Sequence, residues 1–269
     1  MINKGDTLTS GKQLDPMVAS AVVPRVSGDK ERAIPVIREA DAAYAGPSPD
    51  MLPRERSQLL LRAMNVLIAV TALVVVSPLI LIVAAAVKLT SPGPIFYSQA
   101  RVGIDRRRRS TPRQLYDRRR RDLGGGPFMI YKFRTMRVGA ERRGAAVWAT
   151  RGDPRVTPVG ALMRKYRLDE LPQLINVIKG EMNIVGPRPE RPSIFSRLSD
   201  DIAEYPLRQR AKPGITGWAQ VNHDYDTNLD DVRAKVRYDL EYLKRQGVTE
   251  DLKIMARTLP VIIFRRGGW

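Results

Sequence analysis

The stretch RLDELPQLINVIKGEMNIVGPRPERP, residues 167–192, sets two adjacent carboxylates, Asp169 and Glu170, ahead of a short apolar run and follows them with an arginine-bearing loop stiffened by prolines. Leu171, Leu174, Ile175 and Ile178 recur at spacings of three and four, the stripe of a helix lying on a core. Pro172 suits the first turn of that helix, where a missing N–H donor costs nothing. Both carboxylates then fall at the positive end of the helix, and the plainest role for them is to cap its free N–H groups. Chemistry is the second reading. Arg164, Lys165 and Arg167 lie just upstream, and VGPRPERP places Arg188 and Arg191 just downstream. Cations on both sides keep a carboxylate ionised and exposed to anionic ligands. Two neighbouring carboxylates, Asp169 and Glu170, suit a magnesium ion, which takes few protein oxygens and leaves positions for substrate phosphates. An arginine held rigidly grips such phosphates with two prongs. The combination reads as phosphoryl transfer with Asp169 as nucleophile or metal ligand.

Composition narrows the partners. Lys and Arg outnumber Asp and Glu by 46 to 28, a net charge of +18, so the partners are anionic: nucleic acid, a phospholipid surface or phosphorylated substrates. The 43% hydrophobic content is ample for a core. The chain has no cysteine, which excludes disulfides and thiolate metal sites. The lone His223, in NHDYD, cannot build a histidine metal cluster and reads as an exposed loop residue.

The elements that must position the carboxylates follow from changes of composition along the chain. Residues 1–53 mix Gly, Pro, Ser and charges without apolar periodicity, and read as a flexible, uncleaved cytosolic tail. From Ala63 to Val87 no residue is charged, a membrane segment whose straight helix would reach about 37 Å across a hydrocarbon core of about 30 Å. Spanning is one reading. The other is a helix, break, helix hairpin dipping into one leaflet: Pro78 cannot donate to the carbonyl of Val74, and the Ser77 hydroxyl favours a bend. Arginines and lysines flank both ends, so both ends favour the cytoplasmic side. Residues 104–126 hold two RRRR runs and end in GGG, a solvated basic insertion. GGGPF lacks Walker or Rossmann spacing and is a linker. From residue 127 to 269 amphipathic helical stretches alternate with Pro and Gly punctuation. Trp218 reads as packing at a tight turn or as a wall of a substrate groove. The last stretch, DLKIMARTLPVIIFRRGGW, suits either a helix in the headgroup region or one packed on the catalytic helix.

SPLILIVAAAVKLTSPGPIFYSQARVG, FMIYKFRTM, LDELPQLINVIKGEMNIVGPRPE and KPGITGWAQVN, in that order, resemble the bacterial sugar transferase family of monotopic polyprenyl-phosphate phosphoglycosyl transferases, over residues 60–269. The resemblance implies transfer of a hexose-1-phosphate from a nucleotide diphosphate sugar, UDP-linked, to undecaprenyl phosphate, with release of UMP, as the first membrane step of exopolysaccharide, capsule or O-antigen type glycan assembly. It implies that Asp169 is the nucleophile of a covalent phosphosugar intermediate and that Glu170 is its partner, associated with Mg2+. Arg188 matches the arginine of the family's PRP loop, and Lys132, Arg134 and Arg164 match basic positions near the phosphates. Ser77 and Pro78 match the break that makes the family's membrane helix re-entrant. The expected protein is mostly α with little β: a flexible tail (1–53), a re-entrant membrane hairpin (54–90) and a compact cytosolic catalytic domain carrying interfacial amphipathic helices (91–269), at the cytoplasmic face of the bacterial inner membrane. Anionic membrane lipids are expected partners and a homodimer is compatible. Two departures stand out: the insertion 104–126 replaces a short connection, and Asn222, His223 and Asp224 stand where relatives carry a Gly-Arg turn. A catalytically inactive membrane scaffold and a nucleic-acid-binding protein are the rival classes. No recognition motif or stacking platform accompanies the arginine runs, so nucleic acid is not an expected partner.

Overall fold

The computed structural model describes residues 55–105, 125–140, 152–223 and 228–263. All of them fall in one compact unit, Pro49–Trp269; the tail expected at 1–53 and the arginine runs of the insertion lie outside the described residues. Among the described residues the architecture is mostly helical, with two small two-stranded sheets.

Helix α1, Glu55–Thr90, carries the apolar segment and is long and apolar enough to cross a membrane. The resemblance implies a re-entrant helix, break, helix over 54–90; in this structure the helix runs on through Ser77 and Pro78, and the Ser77 hydroxyl donates to the Val74 carbonyl at 2.8 Å. Both halves of α1 pack on the rest of the molecule. Arg62 caps a neighbouring helix, donating to the carbonyls of Val177 (2.5 Å) and Ile178 (2.6 Å). The fully buried Asn65 accepts from the Ile184 backbone N–H at 2.5 Å. Ala69, Ala72, Leu73 and Val76 join a cluster with Ile130, Leu174, Val177 and Met182. Beyond the proline, Ile80, Val83, Ala84 and Val87 pack on Phe133 and Met163. The other face leaves Leu67, Val74, Val75, Leu81, Ile82 and Leu89 exposed.

A turn at Gly93, φ +116°, leads into an antiparallel hairpin of β1 (Phe96–Val102) and β2 (Pro127–Phe133), in register from Phe96 opposite Phe133 to Val102 opposite Pro127. The basic insertion leaves and re-enters at the far end of this hairpin, where the Gly103 N–H donates to the Gly126 carbonyl. Helix α2 (Pro158–Lys165) is capped by Thr157, whose side chain accepts from the Gly160 N–H, and a 3-10 turn, Leu168–Glu170, leads to α3 (Gln173–Lys179). Strands β3 (Asn183–Val185) and β4 (Gly214–Thr216) pair in parallel. Between them run α4 (Pro192–Asp201) and a second 3-10 turn, Tyr205–Arg210. Helices α5 (Trp218–Asn222), α6 (Leu229–Arg245) and α7 (Val248–Ile263) close the domain.

Trp218 takes the packing role: its indole N–H donates to Glu241 at 2.8 Å and the Arg257 guanidinium lies 4.9 Å from its ring. The last helix divides its faces, with Ile254 buried in the α6 contact while Leu252 and Leu259 point outward. His223 is half-buried rather than exposed, because the end of α5 sets its ring 6.3 Å from that of Tyr238.

Candidate active site

The two carboxylates do not cap a helix. They lie in the 3-10 turn Leu168–Glu170, which Pro172 separates from α3, and Asp169 and Glu170 are only 8% and 6% exposed. The turn is entered through Arg167 in the left-handed region, φ +55° and ψ 22°, a strained conformation for a residue with a side chain. The stripe on α3 also differs from expectation: Leu174 and Val177 are buried with Gln173 and Asn176, while Ile175 is exposed. The short 3-10 turn before α3 shifts the phase of the buried face.

Tertiary packing brings the cations of three segments onto Glu170. Lys132 of β2 places Nζ 2.9 Å from Glu170 Oε1 and 3.9 Å from Asp169 Oδ2. Arg188, from the loop after β3, sets Nη2 2.6 Å from Oε1 and Nη1 3.5 Å from Oε2, a two-pronged contact. Arg167 Nη1 lies 3.8 Å from Oε2. Arg164 faces the same turn from α2, its Nε donating to Thr135 Oγ1 at 3.0 Å. Arg134 does not join this group. Its guanidinium donates to the Ser91 carbonyl (2.8 Å), the Ser91 hydroxyl (2.7 Å) and the Pro92 carbonyl, bracing the turn after α1.

The two carboxyls are driven apart electrostatically. At Asp169 burial raises the pKa from its ordinary value; Lys132 opposes this and the Glu170 charge reinforces it. At Glu170 burial acts in the same sense but is outweighed by Arg188 and Lys132, which hold it well below that range. Glu170 is thus an ionised anchor for cations, and Asp169 beside it is the more basic carboxylate. The Glu170 charge in turn raises the Arg188 guanidinium further above its usual value.

A shell of residues that no local pattern singled out holds these groups in place. Asn176, fully buried on α3, accepts from the Tyr131 N–H at 3.1 Å and donates to the Met129 carbonyl at 2.7 Å, so α3 is pinned to the strand that carries Lys132. Arg208, with no exposed surface, donates to the Arg188 carbonyl at 3.1 Å, to Tyr205 Oη at 2.8 Å and to Asp239 at 2.6 and 2.9 Å. Arg101 donates to the Pro189 carbonyl at 3.1 Å, and Glu190 lies 3.8 Å from Arg101 and 3.6 Å from Lys235. The loop that presents Arg188 is therefore fixed through its own carbonyls. Gly186 opens it, and a Cβ there would fall 2.2 Å from the Lys212 carbonyl oxygen.

A membrane-type helix, a buried carboxylate pair and a rigid arginine loop now stand together, and the model of one family, described as bacterial sugar transferase, matches residues 56–265. The chain belongs to the bacterial sugar transferase family. Among relatives, a UDP-N-acetylgalactosamine-undecaprenyl-phosphate N-acetylgalactosaminephosphotransferase of Aeromonas hydrophila is 39% identical, over 79% of this chain and 46% of its own length. A UDP-glucose:undecaprenyl-phosphate glucose-1-phosphate transferase of Escherichia coli is 40% identical, over 76% of this chain and 40% of its own length. The exopolysaccharide production protein ExoY of Sinorhizobium fredii is 35% identical, over 86% of this chain and 98% of its own length. The chain thus spans less than half of the first two relatives and nearly all of the third.

Within this family's chain, the pair Asp169 and Glu170 also bears on magnesium. Among the described residues no group of three or more His, Cys, Asp or Glu side chains is placed to hold a metal, so an all-protein cage is not built. Two adjacent carboxylates fit the other mode, in which substrate phosphates and water complete the shell.

Proposed function

We propose that this bacterial sugar transferase moves a sugar-1-phosphate from a UDP-sugar to undecaprenyl phosphate through a covalent intermediate on Asp169, releasing UMP, as the opening membrane step of a surface glycan. The observation that carries this reading is the Asp169–Glu170 turn, whose second carboxylate gathers Lys132 and Arg188 while the first remains the more basic. The donor and acceptor classes follow the names of the relatives, which act on UDP-glucose or UDP-N-acetylgalactosamine and undecaprenyl phosphate.

In the first step an Asp169 carboxylate oxygen attacks the phosphorus that bears the sugar; a P–O bond to the carboxylate forms, the bond to the bridging oxygen breaks, and UMP leaves with that oxygen. In the second, an oxygen of undecaprenyl phosphate attacks the same phosphorus, forming the diphosphate and regenerating the carboxylate. Burial of Asp169 serves the first step by stripping water from a nucleophile whose basicity is raised. Arg188 and Lys132, held by Glu170, face the equatorial oxygens of the transferring group, where charge is spread. Asp169 and Glu170 would hold Mg2+, which when bound neutralises phosphate charge.

The reading includes a monotopic membrane attachment at the cytoplasmic face of the bacterial inner membrane. Contacts of α1 with the catalytic body run from Arg62 to Val87, about 37 Å of helix at 1.5 Å per residue, more than the roughly 30 Å of a hydrocarbon core. A helix standing across the bilayer would carry that polar body in with it, whereas the re-entrant form, which needs α1 to bend at Ser77 and Pro78 where this structure is continuous, would keep the body at the surface. Anionic lipids meet the arginine runs of the insertion.

The test is release of UMP by the purified full chain from a panel of UDP-sugars with undecaprenyl phosphate and Mg2+, together with mass spectrometry of the enzyme after exposure to donor alone. One sugar phosphate should appear on Asp169, and Asp169→Asn should abolish both signals. Turnover at the wild-type rate in that variant would remove Asp169 from the mechanism.

A further inference from the structure

One buried hydroxyl stands between two acceptors. Tyr242 of α6 lies 2.8 Å from Asp251 Oδ1 and 3.3 Å from the Val185 carbonyl, and all three residues are buried. A phenol carries a single proton, so both contacts become full hydrogen bonds only if a second proton enters. The other oxygen of the same carboxyl, Oδ2, is buried without a hydrogen-bond partner. Val185 ends β3, three residues before Arg188. Arg208 and Arg101 hold the arginine loop at the Arg188 and Pro189 carbonyls, and Tyr242 reaches its root. Asp251 sits in the first turn of α7, which Thr258 ties to Thr216 of β4 at 2.8 Å, and the Thr216 carbonyl accepts from the Gly186 N–H at 2.9 Å. With Asp251 ionised, the hydroxyl proton goes to Oδ1, the nearer and charged acceptor, and Oδ2 stays unpaired. With a proton on Oδ1, the carboxyl donates to Tyr242 Oη and the hydroxyl donates to Val185. A proton on Oδ2 instead would be a buried donor without an acceptor, the costlier arrangement.

We propose that Tyr242 and Asp251 are positioning residues for Arg188: a proton on Asp251 turns the Tyr242 hydroxyl onto the Val185 carbonyl and fastens the root of the arginine loop, and loss of that proton to solvent releases it. This rests on the proposed role of Arg188 at the transferring phosphate. Burial raises the Asp251 carboxyl to about 7, with the Tyr242 bond opposing and the half-buried Glu250 adding to it, so the change of state falls near neutral pH. Burial and the Asp251 charge hold the Tyr242 hydroxyl well above its usual value, so it keeps its proton throughout. Asp239, also on α6, acts on Tyr242 and is paired with Arg208, while Lys253 lies 3.7 Å from Glu250. The strands β3 and β4 and the helices α1 and α5 also pack on α7, and among the described residues none of them brings a charge to bear on Asp251.

The experiment follows amide hydrogen exchange of the segment spanning β3 and the Arg188 loop, read by mass spectrometry on the full chain in detergent at about pH 6 and about pH 8, on either side of the Asp251 transition. UMP release from UDP-glucose or UDP-N-acetylgalactosamine is measured in parallel. Every rate is taken relative to Asp251→Asn at the same pH, which cancels the intrinsic pH dependence of exchange; that amide donates to Tyr242 as the protonated carboxyl does and cannot ionise. The unaltered protein should match Asp251→Asn at the lower pH. At the higher pH it should exchange about fivefold faster and release UMP about fivefold more slowly, the worth of one neutral hydrogen bond. Tyr242→Phe should exchange fast at both. A ratio that does not move with pH in the unaltered protein would overturn the proposal, as would Asp251→Asn exchanging as fast as Tyr242→Phe. Tyr242→Phe slower in UMP release than the unaltered protein by the same factor at both pH values would mark a plain packing role and overturn it too. So would exchange that follows the pattern while UMP release does not. Should Asp251→Asn not fold, Tyr242→Phe becomes the reference, and the unaltered protein should exchange more slowly than it only at the lower pH. Absence of UMP release in every variant would instead defeat the transferase reading, and the exchange ratios would still decide whether Asp251 fastens the loop.

Discussion

Replacing Asp239 by asparagine tests whether the loop that presents Arg188 is held by a desolvated ion pair. Arg208 and Asp239 have side-chain exposures of 0% and 2% and approach to 2.6 Å. Burial opposes the charge on Arg208, but Asp239, with Tyr205 and Glu190, outweighs it and raises its pKa further. The substituted amide would keep one acceptor oxygen and nearly the same volume, yet leave a guanidinium buried without its counter-ion. Breaking one side of such a pair costs about 3–5 kcal/mol. The nearby Tyr205, whose hydroxyl accepts at 2.8 Å and whose ring lies 5.0 Å from the guanidinium, and the Arg188 carbonyl soften the loss, so we expect the lower end, about 3 kcal/mol. At roughly 2–4 °C per kcal/mol for a chain of this size, the midpoint should fall by about 6–12 °C. The assay is thermal unfolding of the detergent-solubilised protein at neutral pH and one scan rate, with turnover measured well below the midpoint. The double variant Arg208→Met with Asp239→Leu should cost less than the two single variants summed, since it removes both charges. A loss under about 1 kcal/mol in Asp239→Asn, or strict additivity in the double variant, would mean that the pair is solvated and does not brace the loop.

Three further outcomes follow. Asp251 lies with no exposed surface, Tyr242 donates to its Oδ1 at 2.8 Å, and burial raises its carboxyl to about 7. Its folded pKa exceeds its unfolded one, so this contribution is complete below about pH 4 and is lost progressively as pH rises to about 7; Asp251→Asn should therefore be stabilising at pH 8 and near neutral at about pH 4, and a shift in thermal midpoint that is the same at both would refute this. Arg188→Lys keeps charge but loses the fork on Glu170, and should lower the rate of UMP release by roughly 100-fold; full activity would reduce Arg188 to general positive potential. Gln58→Cys and Ser98→Cys should both react with an impermeant thiol reagent only when the cytoplasmic face is opened, and adding Pro78→Leu should shift Gln58→Cys toward outer labelling; outer labelling without that change would establish a spanning helix.

Much of the site was legible in residue types alone. Adjacent carboxylates between arginine-rich flanks, a proline-fixed Arg188 and an uncharged run from Ala63 to Val87 are local patterns, and their chemistry does not depend on how the chain closes. Residue types alone left Asp169 as nucleophile or metal ligand, and its electrostatic difference from Glu170 comes only through the groups that packing brings to each. Lys132 is 38 residues from Glu170 in sequence and 2.9 Å from it in space. The capping reading failed for a related reason: a 3-10 turn entered through a left-handed Arg167 costs local strain, and only the surrounding contacts make it the better conformation. Arg134 stands in the same motif as Lys132, yet it lies one residue past the end of β2, where the turn at Gly93 offers it the Ser91 and Pro92 carbonyls. Asn176, Arg208 and Asp239 resemble ordinary polar residues of helices and turns, and their partners lie 45, 20 and 31 residues away. Local sequence therefore determined the candidate reactive groups and the membrane-type segment, since these rest on side-chain chemistry and hydropathy. Tertiary structure decided the protonation bias and the fixed arginine, since burial and charge act through space.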